Sequence, residues 1–281
     1  MTLKNILGRV TSYLDDGAGW SSLLIVPVFL LSWIKYPAAA SRGAKLFSVS
    51  RCSESSGQGV RIASYNIHRA KGMDRIRDLG RIADNLKGVD LAALQEVSGP
   101  QVWGGADQAS QLARRLALGW VFAPTRYRAF KPDVGNALLS RLPVTDWQVQ
   151  PLPTTVGSTR NLISGTLWFA GSAVTLLATH IDRGPDRGRQ LIFVLEQFRL
   201  HRYAILLGDL NTRRDQSPLH EFLLENPDSD AIFHAGGKNP ADRIDWILSR
   251  GVIVGQGGAH PPGASDHPLY WVEFLGLGAG K

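Results

Sequence analysis

The sequence has one cysteine, Cys52, among 281 residues. A lone cysteine excludes an intrachain disulfide framework and a cysteine-rich zinc site. It leaves the redox compartment open, because an exported protein need not carry disulfides. Acidic residues are the scarcer charge, with 24 Asp+Glu against 31 Lys+Arg and a formal net charge of +7. The shortage of negative charge favours an anionic partner, whether nucleic acid, a phospholipid surface or a phosphorylated small molecule, although a solubilising surface charge fits equally well. Internal repeats are absent, as are RNA-recognition and helix-turn-helix signatures. The chain is 44% hydrophobic and 20% charged, which excludes a disordered or wholly membrane-embedded protein.

An uninterrupted apolar run of spanning length is also missing. The most apolar stretch, Trp20–Ile34, would extend roughly 22 Å as a helix, short of the ~30 Å hydrocarbon core. It approaches that length only if Gly17 to Pro37 is counted. Trp20, Trp33 and Tyr36 stand where interfacial aromatics belong, and "PAAASRG" after them resembles a small-residue cleavage region. Residues 1–38 are therefore read as a hydrophobic membrane anchor or an export signal, with a helix packed on the domain as the third option. This predicts a membrane-anchored or exported protein, associated with the membrane through residues 20–34, its side of the membrane left open. Residues 39–59 are rich in Ser, Gly and basic residues and read as a linker. The main domain is expected over 60–276, as a monomer.

Within that domain, "VRIASYNI", "VDLAALQEV", "VGNALLSRLPV", "YAILLGDLN", "DRIDWILSRG" and "HPLYWVEFL" read as strands. "NLISGTLWFAGSAVTLLATHI" reads as a hairpin turning at Ala170–Gly171. "DRIRDLGRIADNLKG", "DQASQLARRLAL" and "RGRQLIFVLEQFRLH" have helical spacing. In the first of these Ile76, Leu79, Ile82, Ala83 and Leu86 form the apolar face and Gly88 the stop. Some strands follow one another without an intervening helix, which predicts mixed sheets with helices on the outer faces.

Several strands end in a side chain able to bind a metal or move a proton. "SYNIH" presents Asn66 and His68, and "LQEV" presents Glu96. "THID" presents His180 and Asp182, and "GDLN" presents Asp209 and Asn211. "RIDWIL" presents Asp245 and "SDH" presents Asp266 and His267. Each alone reads as easily as a surface carboxylate, a core histidine or an ion-pair partner; Asp245, for example, could pair with Arg243 or Arg250. A repeat of the same habit at strand end after strand end is harder to assign to chance, since strand ends are where a scaffold displays chemistry. His267 suits a general base, because imidazole titrates near neutral pH. Asp266 is its neighbour, and in an extended chain would point to the opposite face. Asp209 and Asn211, two apart, would share a face.

In this order, "YNIH", "LQEV", "GNALLSRLP", "THID", "GDLN", "RIDWIL" and "SDH" resemble the endonuclease/exonuclease/phosphatase superfamily with the deoxyribonuclease I-like fold, over about residues 61 to 275. The resemblance implies an α/β fold: a four-layer α/β/β/α sandwich of two mixed sheets with helices outside, preceded here by the N-terminal hydrophobic segment. It implies divalent-metal-dependent hydrolysis of a phosphate ester, with Mg²⁺ or Mn²⁺ as the cation. Glu96 becomes the principal metal ligand with Asn66 beside it, and Asp266 falls on the metal side. Asp245 takes the role of orienting His267, Asp209 orients water or serves the leaving group, and Asn211 and His180 donate to the phosphate. His68, Asn136 and Arg183 are assigned to substrate binding, Asn136 with a strand-start structural role as the equal alternative. No tyrosine precedes the "GNALLS" strand, where Asp133 and Val134 stand instead, and this weakens an abasic-site nuclease reading. The basic stretches "RYRAFK" (126–131) and "DRGPDRGRQ" (182–190) read as solvated loops slightly ahead of phosphate contacts. The expected activity is a phosphodiesterase acting as a nuclease on nucleic acid. The alternatives are a phospholipid or inositol-phosphate phosphoesterase at the membrane, or a binding protein that keeps the fold.

Overall fold

The computed structural model describes residues 35–37, 41–45, 59–100, 104–128, 130–169, 171–236 and 240–278. The Trp20–Ile34 stretch lies outside them, and among the described residues no helix is long and apolar enough to cross a membrane. Two short strands come first, β1 (Lys35–Pro37) and β2 (Ser41–Lys45). Then follow β3 (Val60–Asn66), β4 (Leu91–Ser98), β5 (Gly119–Arg128), β6 (Val134–Ser140), β7 (Val144–Pro151), β8 (Asn161–Phe169) and β9 (Ser172–His180). The last four are β10 (Ala204–Asp209), β11 (Asp245–Arg250), β12 (Val252–His260) and β13 (Leu269–Leu277). The helices are α1 (Leu79–Asn85), α2 (Gln108–Leu116), α3 (Arg187–Arg199), α4 (Leu219–Glu225) and α5 (Ala231–His234).

Among the described residues the strands form a seven-stranded sheet, β1-β5-β6-β4-β3-β13-β12, and a six-stranded sheet, β11-β10-β9-β8-β7-β2. Each sheet holds one parallel pair, β3 with β4 and β9 with β10, and is otherwise antiparallel. Period-2 alternation decides which core each side chain joins. Ile62, Ala93, Leu138 and Val272 of the first sheet meet Leu176, Ile205 and Ile247 of the second in a core between the sheets. Their neighbours Ala63, Ala92 and Leu94 turn outward onto Ile82 of α1 and Leu112 of α2. Leu177, Leu206 and Trp246 turn outward onto Leu191, Val194 and Phe198 of α3. Helix, sheet, sheet and helix are thus four layers, with central strands such as β4, β6 and β10 buried on both faces, which is why those strands read as nearly continuous apolar runs.

The helix ends follow local chemistry. Asp78 caps α1 by accepting from Gly80 N at 2.7 Å, and Asp107 caps α2 by accepting from Ser110 N at 2.8 Å, satisfying backbone donors that a helix start leaves free. The Asp78 cap shortens α1 relative to the sequence expectation. Ile76 precedes it and is exposed rather than part of the buried face. The stretch read as a linker contributes β2, which pairs with β7, and Lys35–Pro37 pairs with β5. Backbone pairing at two sheet edges needs no side-chain periodicity, so composition does not reveal it.

Gly208, next to the end of β10, is a position where close approach requires glycine. A Cβ there would stand 2.2 Å from the carbonyl oxygen of Thr179 on β9. Gly208→Ala is therefore expected to lower stability by about 1–3 kcal/mol or more, read as a lower denaturant midpoint with an unchanged slope. A midpoint within error of the parent would refute the packing account.

Candidate active site

Strands β3, β4, β9 and β10 release their chains at one edge of the sandwich, and most of the polar strand-end residues gather there. The β3–β4 register pairs Asn66 with Gln95, so Glu96 leaves the adjacent strand beside Asn66. Between Leu94 and Val97 the pairing of β4 with β6 slips, and Glu96 has φ 55°. This bulge turns Glu96 out of strict alternation and into the cavity. On the other sheet, Asp209 lies in register with both His180 and Asp245. The segment 265–267 bends onto β3, where Ser265 Oγ donates to Asn66 O at 2.7 Å. Because the chain bends there, Asp266 and His267 line the same cavity instead of facing opposite ways.

His267 Nδ1 and Asp245 Oδ2 are 2.8 Å apart. With Nδ1–H donated to the carboxylate, Nε2 is left as the basic nitrogen, 3.5 Å from Asn66 Nδ2 and 3.9 Å from Asp209 Oδ2. Asn66 Nδ2 also donates to Asp209 Oδ2 at 3.0 Å. Burial opposes the His267 imidazolium, but the bond to Asp245 and the charges of Asp245, Asp209 and Asp266 outweigh it and raise its pKa to about 9. Burial, then the Asp245 charge, pushes the Asp209 carboxyl up to about 7. Burial likewise raises Asp245.

His180 is buried, with Nδ1 3.1 Å from Arg160 Nη1 and Nε2 3.4 Å from Asp209 Oδ2. A guanidinium only donates, so Nδ1 is the acceptor and Nε2 carries the hydrogen. Burial, then the Arg160 charge, holds its pKa well below the usual value. His180 is thus neutral, with Nε2–H near Asp209 but no hydrogen bond to it, while the sequence reading assigns this residue to the phosphate. Asn211, at φ 46°, gives one Nδ2 hydrogen to Ile181 O at 2.9 Å and keeps the other. Its backbone N–H bonds Asp209 Oδ1 at 2.9 Å.

These groups face a cavity of about 820 Å³ lined by Glu96, Asn211, Asp266, His68, Arg126, Arg160 and Arg183, among others. His68 Nδ1 is 3.2 Å from Asp266 Oδ1. Asn136 does not line it; its Nδ2 donates to Asn161 Oδ1 at 2.8 Å in the buried interior, which is a structural role. Asp245 is free for His267 because Arg243 pairs with Asp230 and stacks over Trp246.

Sequence reasoning misses Arg160 and reads the stretches that hold Arg126 and Asp186 as solvated loops slightly ahead of phosphate contacts. Arg126 belongs to β5 and not to a loop. Asp186 accepts from the backbone N–H groups of Thr155, Val156 and Gly157 and from the Thr155 hydroxyl. The Thr155 hydroxyl and these amides hold its carboxyl well below the usual carboxylate range. It thereby fixes the loop whose residues 156–160 form one cavity wall. No motif marks Arg160 or the loop-fixing role of Asp186, since their partners lie elsewhere in the chain.

Two groups of donors could hold a cation. Glu96, Asn66 and Asp266 offer only oxygen, as a hard divalent ion prefers. Asn66 Oδ1 accepts one backbone bond, from His68 N at 3.1 Å, and keeps a second lone pair. Asp209, Asp245 and His267 bring one ligand atom each within 4.8 Å of one another, but the His267–Asp245 hydrogen bond already occupies two of those atoms. Buried Asp182 Oδ2 and Asp245 Oδ1 have no hydrogen-bond partner among the described residues. The oxygen set fits a divalent ion, and the trio is better suited to moving protons.

A four-layer sandwich whose strand ends hold a histidine–aspartate couple beside carboxylate and amide oxygens matches a family of phosphoric ester hydrolases. The chain belongs to the endonuclease/exonuclease/phosphatase family, whose model matches residues 63–267 and whose members are phosphoric ester hydrolases. Solved structures share the fold. One is an endonuclease/exonuclease/phosphatase from Beutenbergia cavernae, with TM-score 0.62 and 23% identity over 79% of this chain and 72% of that one. Another is a mannosyl-6-phosphatase from Bacteroides thetaiotaomicron, with TM-score 0.60 and 18% identity over 77% and 99%. A third is the human nocturnin catalytic domain, with TM-score 0.60 and 16% identity over 85% and 98%. No curated protein matches the chain in sequence.

Proposed function

We propose that the chain is a phosphodiesterase dependent on Mg²⁺ or Mn²⁺ that cleaves a nucleic-acid strand. The carrying observation is that His267 Nε2, held by Asp245, opens onto a cavity walled by Arg126, Arg160 and Arg183. A divalent ion held by Glu96, Asn66 and Asp266 would offset the charge that develops on the phosphoryl and leaving oxygens. His267 Nε2 takes the proton from the attacking water, and Asp245 keeps the ring oriented and stabilises the imidazolium. Asp209, held by Asn66 and by Asn211 N, orients the water. The free Asn211 hydrogen and the arginines bind the nonbridging oxygens.

A phospholipid is the second reading. A neighbouring cavity of about 980 Å³ shares Asp266 and His267 and is lined by Pro240, Pro261, Pro262 and Tyr270, which suits an apolar substituent. The Trp20–Ile34 stretch supports action at a membrane surface. The deciding experiment incubates the purified chain and Mg²⁺ with plasmid DNA, RNA, sphingomyelin, phosphatidylinositol and inositol phosphates. Nucleic-acid cleavage abolished by chelator is expected. Cleavage confined to lipids would replace the first reading with the second, and full activity in excess chelator would refute both.

A further inference from the structure

Beside the catalytic cavity, Arg69, Arg126 and Arg128 gather with little to neutralise them. Arg126 and Arg128 are two apart on β5 and share a face. Arg69 comes from the turn after β3, at φ 57°, with its carbonyl fixed by Gln108 Nε2 at 3.0 Å and Arg77 Nη1 at 3.3 Å. The Nε atoms of all three are buried and find no hydrogen-bond partner among the described residues. The nearby carboxylate, Asp133, spends Oδ1 on the backbone N–H of Arg128 at 2.8 Å.

Burial, then the charges of Arg126 and Arg69, makes the Arg128 guanidinium easier to deprotonate than usual. Arg126 bears on Arg160 in the same way. Positive charge therefore continues from the reacting centre at Arg160, through Arg126 in the cavity wall, to Arg128 and Arg69 outside it. Like charges held together at this cost are stabilised by an anion, and guanidinium groups pair with phosphate in a directed, two-pronged geometry.

We propose that Arg69, Arg126 and Arg128 form a second anion subsite, which takes a non-reacting phosphate of the substrate next to the one being cleaved. The inference rests on the phosphodiesterase reading and sharpens it. The substrate class is one in which a second phosphate follows the scissile one, as along a polynucleotide.

The test compares two thymidine dinucleotides, one carrying only the internucleotide phosphodiester and one also phosphorylated at both ends. The full chain and its Arg69→Gln, Arg128→Gln and Arg128→Lys variants are assayed with Mg²⁺. The glutamine variants are expected to raise KM for the end-phosphorylated dinucleotide at least tenfold more than for the bare one, with kcat little altered. Arg128→Lys, which keeps the charge, should recover part of the loss and show that the fold is intact. An equal rise on both substrates, or none, would overturn the subsite. If the parent cleaves neither dinucleotide, the phosphodiesterase reading fails, and calorimetry with inorganic tripolyphosphate in divalent-free buffer then decides. Binding weakened at least tenfold in Arg69→Gln and Arg128→Gln would sustain the subsite; equal binding, or none by the parent, would remove it.

Discussion

His267→Ala is expected to lower kcat by about 10²–10⁴, the contribution of a positioned general base, while the protein keeps its cooperative unfolding. His267 is the one imidazole at this edge with its Nε2 turned to the cavity and its Nδ1 held by a buried carboxylate. His180 is buried, its Nδ1 accepts from Arg160 and its Nε2 carries the hydrogen, so it offers no basic nitrogen and cannot substitute. Asp245→Asn leaves an imidazole in place but removes the partner that raises its pKa, and is expected to cost less. The sign of the pH effect follows. Catalysis needs neutral His267, so kcat/KM rises with pH until that group has lost its proton. In metal-free protein the imidazole should titrate near pH 9 by NMR, and at a lower pH in Asp245→Asn. Because the folded value lies above the unfolded one, the stability from this pair is complete below about pH 6.5 and disappears as pH rises through about 9. Turnover of His267→Ala near the parent rate, or an unshifted titration in Asp245→Asn, would refute the assignment.

The extent to which the site is legible in the sequence differs by residue, for identifiable reasons. Asn66, His180 and Asp209 each end an apolar run and Asp245 opens one, and strand geometry alone brings them to one edge. Glu96 is different: by alternation it belongs with Ala92 and Leu94 on the helix side of β4, and only the bulge brings it into the cavity. The bend at 265–267 likewise defeats the expectation that Asp266 and His267 point apart. Arg126 was masked by Pro124, which argues against an interior strand. The structure accommodates that proline at a register shift between β5 and β6. Strand β12 is glycine-rich and pairs with β13 through two register shifts, so it has no periodic signal. Arg160 and Asp186 act through partners distant in sequence, and no local pattern marks those roles. The sandwich was legible because its central strands are buried on both faces; the cavity walls were not, because bulges, bends and loop clamps build them.

Glu96→Ala is the second large loss expected, and it separates the two groups of possible cation ligands. Divalent-metal assistance supplies several kcal/mol of transition-state stabilisation, so losing the principal carboxylate should lower kcat/KM by about 10²–10³ at fixed Mg²⁺. That number alone does not locate the ion, since any damage to the site lowers activity. Mn²⁺ binding, measured by calorimetry without substrate, does locate it. If Glu96, Asn66 and Asp266 hold the ion, Glu96→Ala should weaken Mn²⁺ binding at least tenfold, and His267→Ala should leave it within about twofold, each tenfold being about 1.4 kcal/mol. If Asp209, Asp245 and His267 were the ligands, the order would reverse. The hydrogen bond between His267 and Asp245 argues for the first outcome, because a cation bound there would have to break it. The same bond is the one that orients the catalytic base. A cation held by Glu96, Asn66 and Asp266 would leave it intact, and Asn66, whose amide reaches both Asp209 and His267, would link the two groups, so that metal and base would not compete for the same atoms.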